Sequence, residues 1–201
     1  MTGRFITLEG PEGAGKTVQA ERLAAALRSS GDEVVLTREP GGTRLGEAVR
    51  ALVLGGTAAV DPRADALLFN AARAQLVAEV IRPALDRGAI VLCARFADST
   101  LAYQGHGSGL PLDELRSIAS VATGGLSPDR TILLDIAPEV GLERKTADAR
   151  NRFEAAFDLN FHRRVRAGFL TLAAEEPARW RVVDASRPMD AVFAGVIEAA
   201  R

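Results

Sequence analysis

The sequence predicts an α/β fold, a five-stranded parallel sheet with helices on both faces, and three observations predict it. Five short aliphatic runs alternate with longer segments whose apolar residues recur three and four apart, the pattern of strands joined by helical crossovers. A glycine-rich turn stands between the first run and the helical pattern after it. No repeat, low-complexity tract or linker divides the 201 residues, of which 47% are hydrophobic, so a single domain spanning 1–201 is expected.

Phe5 to Leu8 opens the series as a buried strand, and Leu23, Ala26 and Leu27 mark the amphipathic helix behind it. Glu33 to Thr37 is the second strand and runs into a loop at Pro40 to Thr43; a further loop is expected from Gly55 to Pro62. Leu76, Val80, Ile81 and Leu85 form the next helical stripe, ahead of the third strand at Ala89 to Cys93. An apolar helix face within Ala64 to Leu85 suits either a dimer seam or core packing. Gly105 to Pro111 reads as a loop, Thr131 to Ile136 as the fourth strand, the basic stretch Arg144 to Arg152 as a loop, and Arg181 to Val183 as the fifth strand. Right-handed crossovers make such a sheet parallel, and its ligands bind beyond the carboxyl ends of the strands.

A net charge of -1 leaves no global positive field, so no nucleic-acid partner is expected and phosphate binding must come from local clusters. Cys93 is the one cysteine and reads as core. No apolar run approaches the roughly 20 residues that span a bilayer. The first nine residues lack a signal-peptide core, so the expected location is cytoplasmic, with no membrane partner.

The strongest signal follows the first strand. Gly10-Pro11-Glu12-Gly13-Ala14-Gly15-Lys16-Thr17 matches G-x-x-x-x-G-K-[ST] in the required context, between an apolar run and a helix. Its glycines let successive N–H groups point at phosphate oxygens, reinforced by the positive end of the helix. Lys16 would bridge the β- and γ-phosphates of ATP, Thr17 would offer its hydroxyl to Mg²⁺, and Val18 follows directly. This motif alone does not separate kinases from other P-loop nucleotidases.

Three further motifs do. Thr37-Arg38-Glu39-Pro40-Gly41-Gly42-Thr43 follows the second strand. Ser99-Thr100-Leu101-Ala102-Tyr103-Gln104-Gly105 comes just after Arg95 at the third strand's end. Leu68-Phe69-Asn70-Ala71-Ala72-Arg73 places an aromatic and an arginine on one helix face. With the P-loop, in this order and spacing and across nearly the whole chain, the set resembles the thymidylate kinases. The resemblance implies a P-loop NTPase fold with a short lid, a homodimer, and transfer of phosphate from Mg-ATP to dTMP, giving dTDP and ADP in dTTP biosynthesis.

The residues admit that reading beside plainer ones. Phe69 offers a flat apolar face on which a pyrimidine stacks, or is core. Arg73 offers planar donors to a base carbonyl, its role in the family, or is a solvated helix-face arginine. Thr100 and Gln104 read the base edge or cap the helix after strand three. Arg38 and Arg95, at strand ends, carry over as ligands of the acceptor phosphate, with surface salt bridges as the alternative. Glu12 carries over as an acidic residue near the acceptor sugar and phosphate. Tyr103 borders the sugar or fills the sheet edge.

The basic segment 144–154 is either a solvated helix face or a lid supplying cations to the migrating phosphate. Gly13 occupies the slot where some thymidylate kinases carry an arginine, so the chain resembles the subtype whose catalytic arginine comes from the lid. Arg150 and Arg152 are the candidates, with Arg144 near adenine and Phe153, in an R-[YFIL]-E element, closing over the acceptor. His106 and His162 are assigned structural or surface roles, because the acceptor phosphate is already an anionic nucleophile.

Two departures stand out. Val18 replaces a usual threonine, a mild change. Ala94 replaces the aspartate that normally precedes Arg95, which implies reduced activity unless Glu9, Glu12 or Asp98 compensates. Two other functions stay open: a kinase for another nucleoside monophosphate, and a catalytically weak nucleotide-binding regulator.

Overall fold

The first strand is buried on both sides because both sides are covered. Ile6 and Leu8 face one way, Phe5 and Thr7 the other, and all four are buried, as a central parallel strand requires. The computed structural model describes residues 3–55, 60–144 and 157–201. Its strands are β1 (Arg4–Glu9), β2 (Val34–Arg38), β3 (Ile90–Ala94), β4 (Arg130–Asp135) and β5 (Trp180–Asp184). They pair in parallel in the order β2-β3-β1-β4-β5. All five expected strands form, with ends shifted by one residue; Ile136, expected inside the fourth, follows its end.

In chain order the helices are α1 (Lys16–Ser29), α2 (Arg44–Gly55), α3 (Pro62–Leu76), α4 (Arg82–Asp86), α5 (Ala97–Thr100), α6 (Leu112–Thr123), α7 (Pro138–Glu143), α8 (Leu159–Glu175) and α9 (Met189–Ala199). On one face, Ala20 and Leu23 of α1 and Val192 and Val196 of α9 pack on Ile6, Leu8, Leu92 and Ile132. On the other, Leu76, Val77 and Ile81 cover Phe5 and Val91, while Phe161, Val165 and Phe169 of α8 lie against Leu133. Asp61 caps α3, its side chain accepting from Arg63 N at 2.8 Å, with Pro62 at the first helical position.

One expected loop is largely helix. Residues Leu101–Gly107 continue α5 as a π-helical segment, so only the end of Gly105 to Pro111 is loop. The glycines that suggested a turn serve close packing: a Cβ on Gly105 would lie 2.4 Å from Leu112, and one on Gly107 would lie 2.7 Å from the Phe161 ring. A second π-helical segment, Val77–Ile81, joins α3 to α4. Among the described residues, no helix is long and apolar enough to cross a membrane.

Candidate active site

The carboxyl ends of β1, β2 and β3 lie side by side, and the sequence motifs meet there. After Glu9 the chain turns through Gly10, Gly13 and Gly15 at φ 146°, 72° and 86° before α1 begins at Lys16. These φ values suit glycine. Lys16 is buried, and its Nζ reaches back across the loop to donate to the carbonyls of Gly10 (2.8 Å) and Pro11 (2.7 Å). Thr17 is exposed at the rim, as is Val18.

Beside the P-loop stands a charged cluster centred on Glu12. Its Oε1 accepts from Arg95 Nη2 (2.6 Å) and from the Tyr103 hydroxyl (2.9 Å), which in turn accepts from Arg95 Nη1 (3.3 Å). Arg95 adopts φ 72°, a left-handed conformation for a non-glycine residue. Such a residue costs on the order of 1–3 kcal/mol and persists only where its surroundings hold it. Its backbone N–H donates to Leu8 O at 3.0 Å, and Glu12 and Tyr103 hold the other end. Burial works against the Arg95 charge, but Glu12 and then Tyr103 outweigh it and raise its pKa further. Burial pushes the Tyr103 phenol up, so it stays protonated and donates to Glu12.

The third part is a buried ion pair. Arg73, with a side chain 2% exposed, binds both Glu39 oxygens through Nε (3.2 and 2.9 Å) and one again through Nη2 (2.7 Å). It also donates to Asn70 Oδ1 (2.7 Å), Phe96 O (3.1 Å) and Thr100 Oγ1 (3.1 Å). The solvated helix-face reading of Arg73 is therefore overturned: the residue is buried because Glu39, from the loop after β2, comes to meet it. Burial raises the Glu39 carboxyl above its ordinary value against the opposing pull of Arg73.

All three parts face one cavity of about 340 Å³, a size suited to a small ligand. Of the residues singled out in the sequence, Glu12, Gly13, Gly15, Lys16, Thr17, Val18, Arg38, Phe69, Arg73, Arg95, Thr100, Tyr103, Gln104 and Arg144 line it. Gly10, Pro11 and Ala14 lie behind the lining and are buried. Arg38 is half-exposed and paired with Glu47 at 2.9 Å. Arg144 donates Nη1 to Ala185 O at 2.9 Å. Arg150, Arg152 and Phe153 fall outside the described residues. Cys93 and His162 are buried, and His106 packs on Gly168, consistent with structural roles.

The sequence reading missed several lining residues, notably Arg50 and Glu39. Arg50 donates to Pro40 O at 2.9 Å. Burial, followed by the Arg38 charge, lowers its pKa against the opposing pull of Glu47. An arginine six residues into α2 carried no signal in spacing alone. Ala94 lines the cavity too, in register with Leu8 of β1 and Arg38 of β2. Of the three carboxylates proposed to compensate for it, Glu12 alone lines the cavity. Asp98 is paired with Arg179 at 2.7 Å. Glu9 accepts from Phe96 N and Ser99 Oγ, both at 2.6 Å.

Glu9 yields a pH prediction. Burial, reinforced by Asp98, raises its pKa from 4.5 to about 7. The folded state thus holds this proton more tightly than the unfolded chain. The resulting stability is present below the unfolded pKa and disappears as pH rises through about 7. Between pH 5 and 8 the Glu9 contribution falls. Glu9→Gln keeps an acceptor for Phe96 N and removes the titration, so its urea midpoint should change less over that interval than the parent's. Equal changes in the two proteins would show that Glu9 titrates normally.

Comparison with known proteins agrees with this geometry. The family model described as thymidylate kinase matches residues 8–196. The chain is 56% identical over 195 residues to a thymidylate kinase of Deinococcus radiodurans, covering 96% of this chain and 94% of that one. It is 56% identical over 200 residues to one of Thermomicrobium roseum, with the same coverage of 96% and 94%. A crystal structure of thymidylate kinase from Ehrlichia chaffeensis superposes with a TM-score of 0.82 at 33% identity, covering 100% of both chains.

Proposed function

We infer that this chain, which belongs to the thymidylate kinase family, transfers the γ-phosphate of ATP to dTMP, giving dTDP and ADP. The observation that carries the reading is the single cavity in which Lys16 and Thr17 at one end and Phe69, Arg73, Thr100 and Gln104 at the other enclose Arg38 and Arg95. One end suits a triphosphate and the other a pyrimidine, so the two phosphates meet among the arginines.

The acceptor phosphate oxygen attacks the γ-phosphorus as the bond to the β,γ-bridging oxygen breaks, and no base is needed because the acceptor is already anionic. Positioning and charge stabilisation remain for the protein. Lys16 moves from the Gly10 and Pro11 carbonyls onto phosphate oxygens. Arg95, fixed by Glu12 and Tyr103, needs little rearrangement to hold the acceptor phosphate. Phe69 stacks on thymine and Arg73 faces a base carbonyl. Arg144 lies toward adenine, and Arg150, Arg152 and Phe153 are proposed to complete the site from the lid near 144–154.

Among the described residues, no group of three or more His, Cys, Asp or Glu could hold a metal. The donor set nonetheless fits Mg²⁺, which is commonly held by few protein oxygens together with substrate phosphates, here by the rim hydroxyl of Thr17. When bound, Mg²⁺ neutralises charge on the β- and γ-oxygens. We further propose a homodimer through the exposed apolar stripe Ala64, Leu67 and Ala71 of α3, and a cytoplasmic location, where ATP and dTMP are at hand.

Coupled ADP release with dTMP, dUMP, dCMP, AMP and GMP tests the function. Turnover confined to dTMP, or strongest with it, supports it. A preference for another monophosphate, or ATP binding without turnover, would move the chain to one of the alternatives.

Ala94→Asp should raise kcat. The new carboxylate would enter the cavity between Arg38 and Arg95, where it can accept from a metal-bound water and orient Arg95. Groups that hydrogen-bond to the ligands of a metal are worth about 10- to 100-fold in affinity or activity. Because Glu12 already orients Arg95, the gain should lie near the lower figure. Repulsion from Glu12 and the acceptor phosphate opposes it, and the two arginines and Mg²⁺ outweigh that. If the variant is no faster at saturating Mg-ATP and dTMP, Glu12 already fills the role.

A further inference from the structure

The P-loop rests against α7, and the contact is made of backbone. A Cβ built on Gly13 lies 1.9 Å from the Gly141 carbonyl oxygen and 2.7 Å from its Cα. A Cβ on Gly141 lies 2.1 Å from the Glu12 carbonyl oxygen. These are main-chain atoms, so no rotamer change relieves either clash. Gly13 lacks a side chain where the Gly141 backbone fills the space, and Gly141 lacks one where the Glu12 carbonyl does.

The helix is also pinned from outside. Asp135, three residues before α7, accepts both Arg166 Nε (2.7 Å) and Nη2 (2.8 Å) from α8. Glu139 accepts from Arg163 Nε at 2.9 Å, and Arg144, at the end of the helix, donates to Ala185 O at 2.9 Å. The P-loop is held as well, by Lys16 Nζ on the Gly10 and Pro11 carbonyls (2.8 and 2.7 Å), by Arg95 on the Glu12 carboxylate (2.6 Å) and by a longer Ala14 N–H to Pro11 O bond of 3.4 Å. An atom added at 141 between two anchored segments therefore bears directly on the Glu12–Gly13 peptide.

We propose that Gly141 is a positioning residue for the phosphate donor: its backbone seats the Glu12–Gly13 peptide, and together with Gly13 it bars any side chain from that position of the P-loop. A methyl group at 141 pushes on the Glu12 carbonyl, and rotating that peptide turns the Gly13 N–H away from a bound phosphate. The base-reading residues Phe69, Arg73, Thr100 and Gln104 lie on α3, α5 and the segment after it, so a shift of the peptide reaches the acceptor site chiefly through the Glu12 carboxylate, which binds Arg95 and Tyr103. In this chain no cation for the transferred phosphate can come from position 13. The proposal rests on ATP binding at the P-loop, a premise that ADP release by the parent protein tests separately.

Gly141→Ala should raise KM for ATP by about tenfold or more and lower kcat, with KM for dTMP rising by a clearly smaller factor through the Glu12–Arg95 pair. Gly13→Ala should behave alike, and Val140→Ala, at an exposed neighbour on the same helix, should change neither constant. Equal rises for both substrates in Gly141→Ala, or an unchanged KM for ATP, would overturn the assignment. Should the glycine variants fold poorly, the parent carries the test through the Gly141 amide, which donates to Ala137 O at 3.0 Å. Its hydrogen exchange should slow when a non-hydrolysable ATP analogue binds, and an unchanged rate would overturn the proposal.

Discussion

Lys16→Ala should lower kcat by about 10²-fold or more, the scale of losing one preorganised electrostatic donor in other active sites. Lys16 is 8% exposed, which makes its charge effective, since little water screens it. Its two carbonyl partners, Gly10 and Pro11, belong to the loop itself, so the side chain is held over the phosphate cradle before any ligand arrives. During transfer, charge spreads over the β- and γ-oxygens, and the lysine should bind that state more tightly than the ground state, so kcat falls along with kcat/KM. Loss of the two carbonyl bonds adds a modest stability cost of about 0.5–1.5 kcal/mol each. Unfolding measured beside the kinetics separates that cost from chemistry. A kcat within about threefold of the parent would remove Lys16 from the mechanism.

What the sequence disclosed follows from how local each signal is. The strands were legible because a parallel sheet covered on both faces demands nearly continuous apolar runs, and Phe5 to Leu8, interrupted by Thr7 alone, is one. The P-loop was legible because its chemistry is carried by fixed spacings within eight residues. Glycines outside such a motif were ambiguous. Gly105 and Gly107 suggested a turn, yet they let helices approach closely, which depends on Leu112 and Phe161. The Gly13–Gly141 contact joins two distant segments, and neither glycine announces the other. Arg50 and Glu39 were missed for the same reason. A charged residue in α2 or in a loop looks solvated until the fold brings it to the cavity, as it does both of these. The left-handed backbone of Arg95 has no composition signal at all, being imposed by Glu12, Tyr103 and the end of β1.

Arg73→Ala should have two effects of different origin. The first is on stability. With its partner 34 positions away removed, Glu39 is left as a buried carboxylate, 6% exposed, and breaking such a pair costs about 3–5 kcal/mol. The second is on the acceptor. A guanidinium has five N–H donors. Among the described residues, Glu39, Asn70, Phe96 and Thr100 take the Nε hydrogen, the Nη2 hydrogens and one on Nη1, leaving the second Nη1 hydrogen for a base carbonyl. One charge-assisted bond is worth about 1.5–3 kcal/mol, so KM for dTMP should rise roughly 10- to 150-fold while KM for ATP barely moves. The double variant Arg73→Ala/Glu39→Ala separates the two effects, because deleting the stranded carboxylate removes most of the electrostatic penalty, and neighbours in one network are not additive. Its unfolding free energy should recover part of the loss, whereas its KM for dTMP should stay high. If KM for dTMP recovers along with stability, the rise came from the stranded Glu39 carboxylate, and Arg73 makes no bond to the base. If stability never fell, the ion pair contributes nothing net and its burial is offset by desolvation.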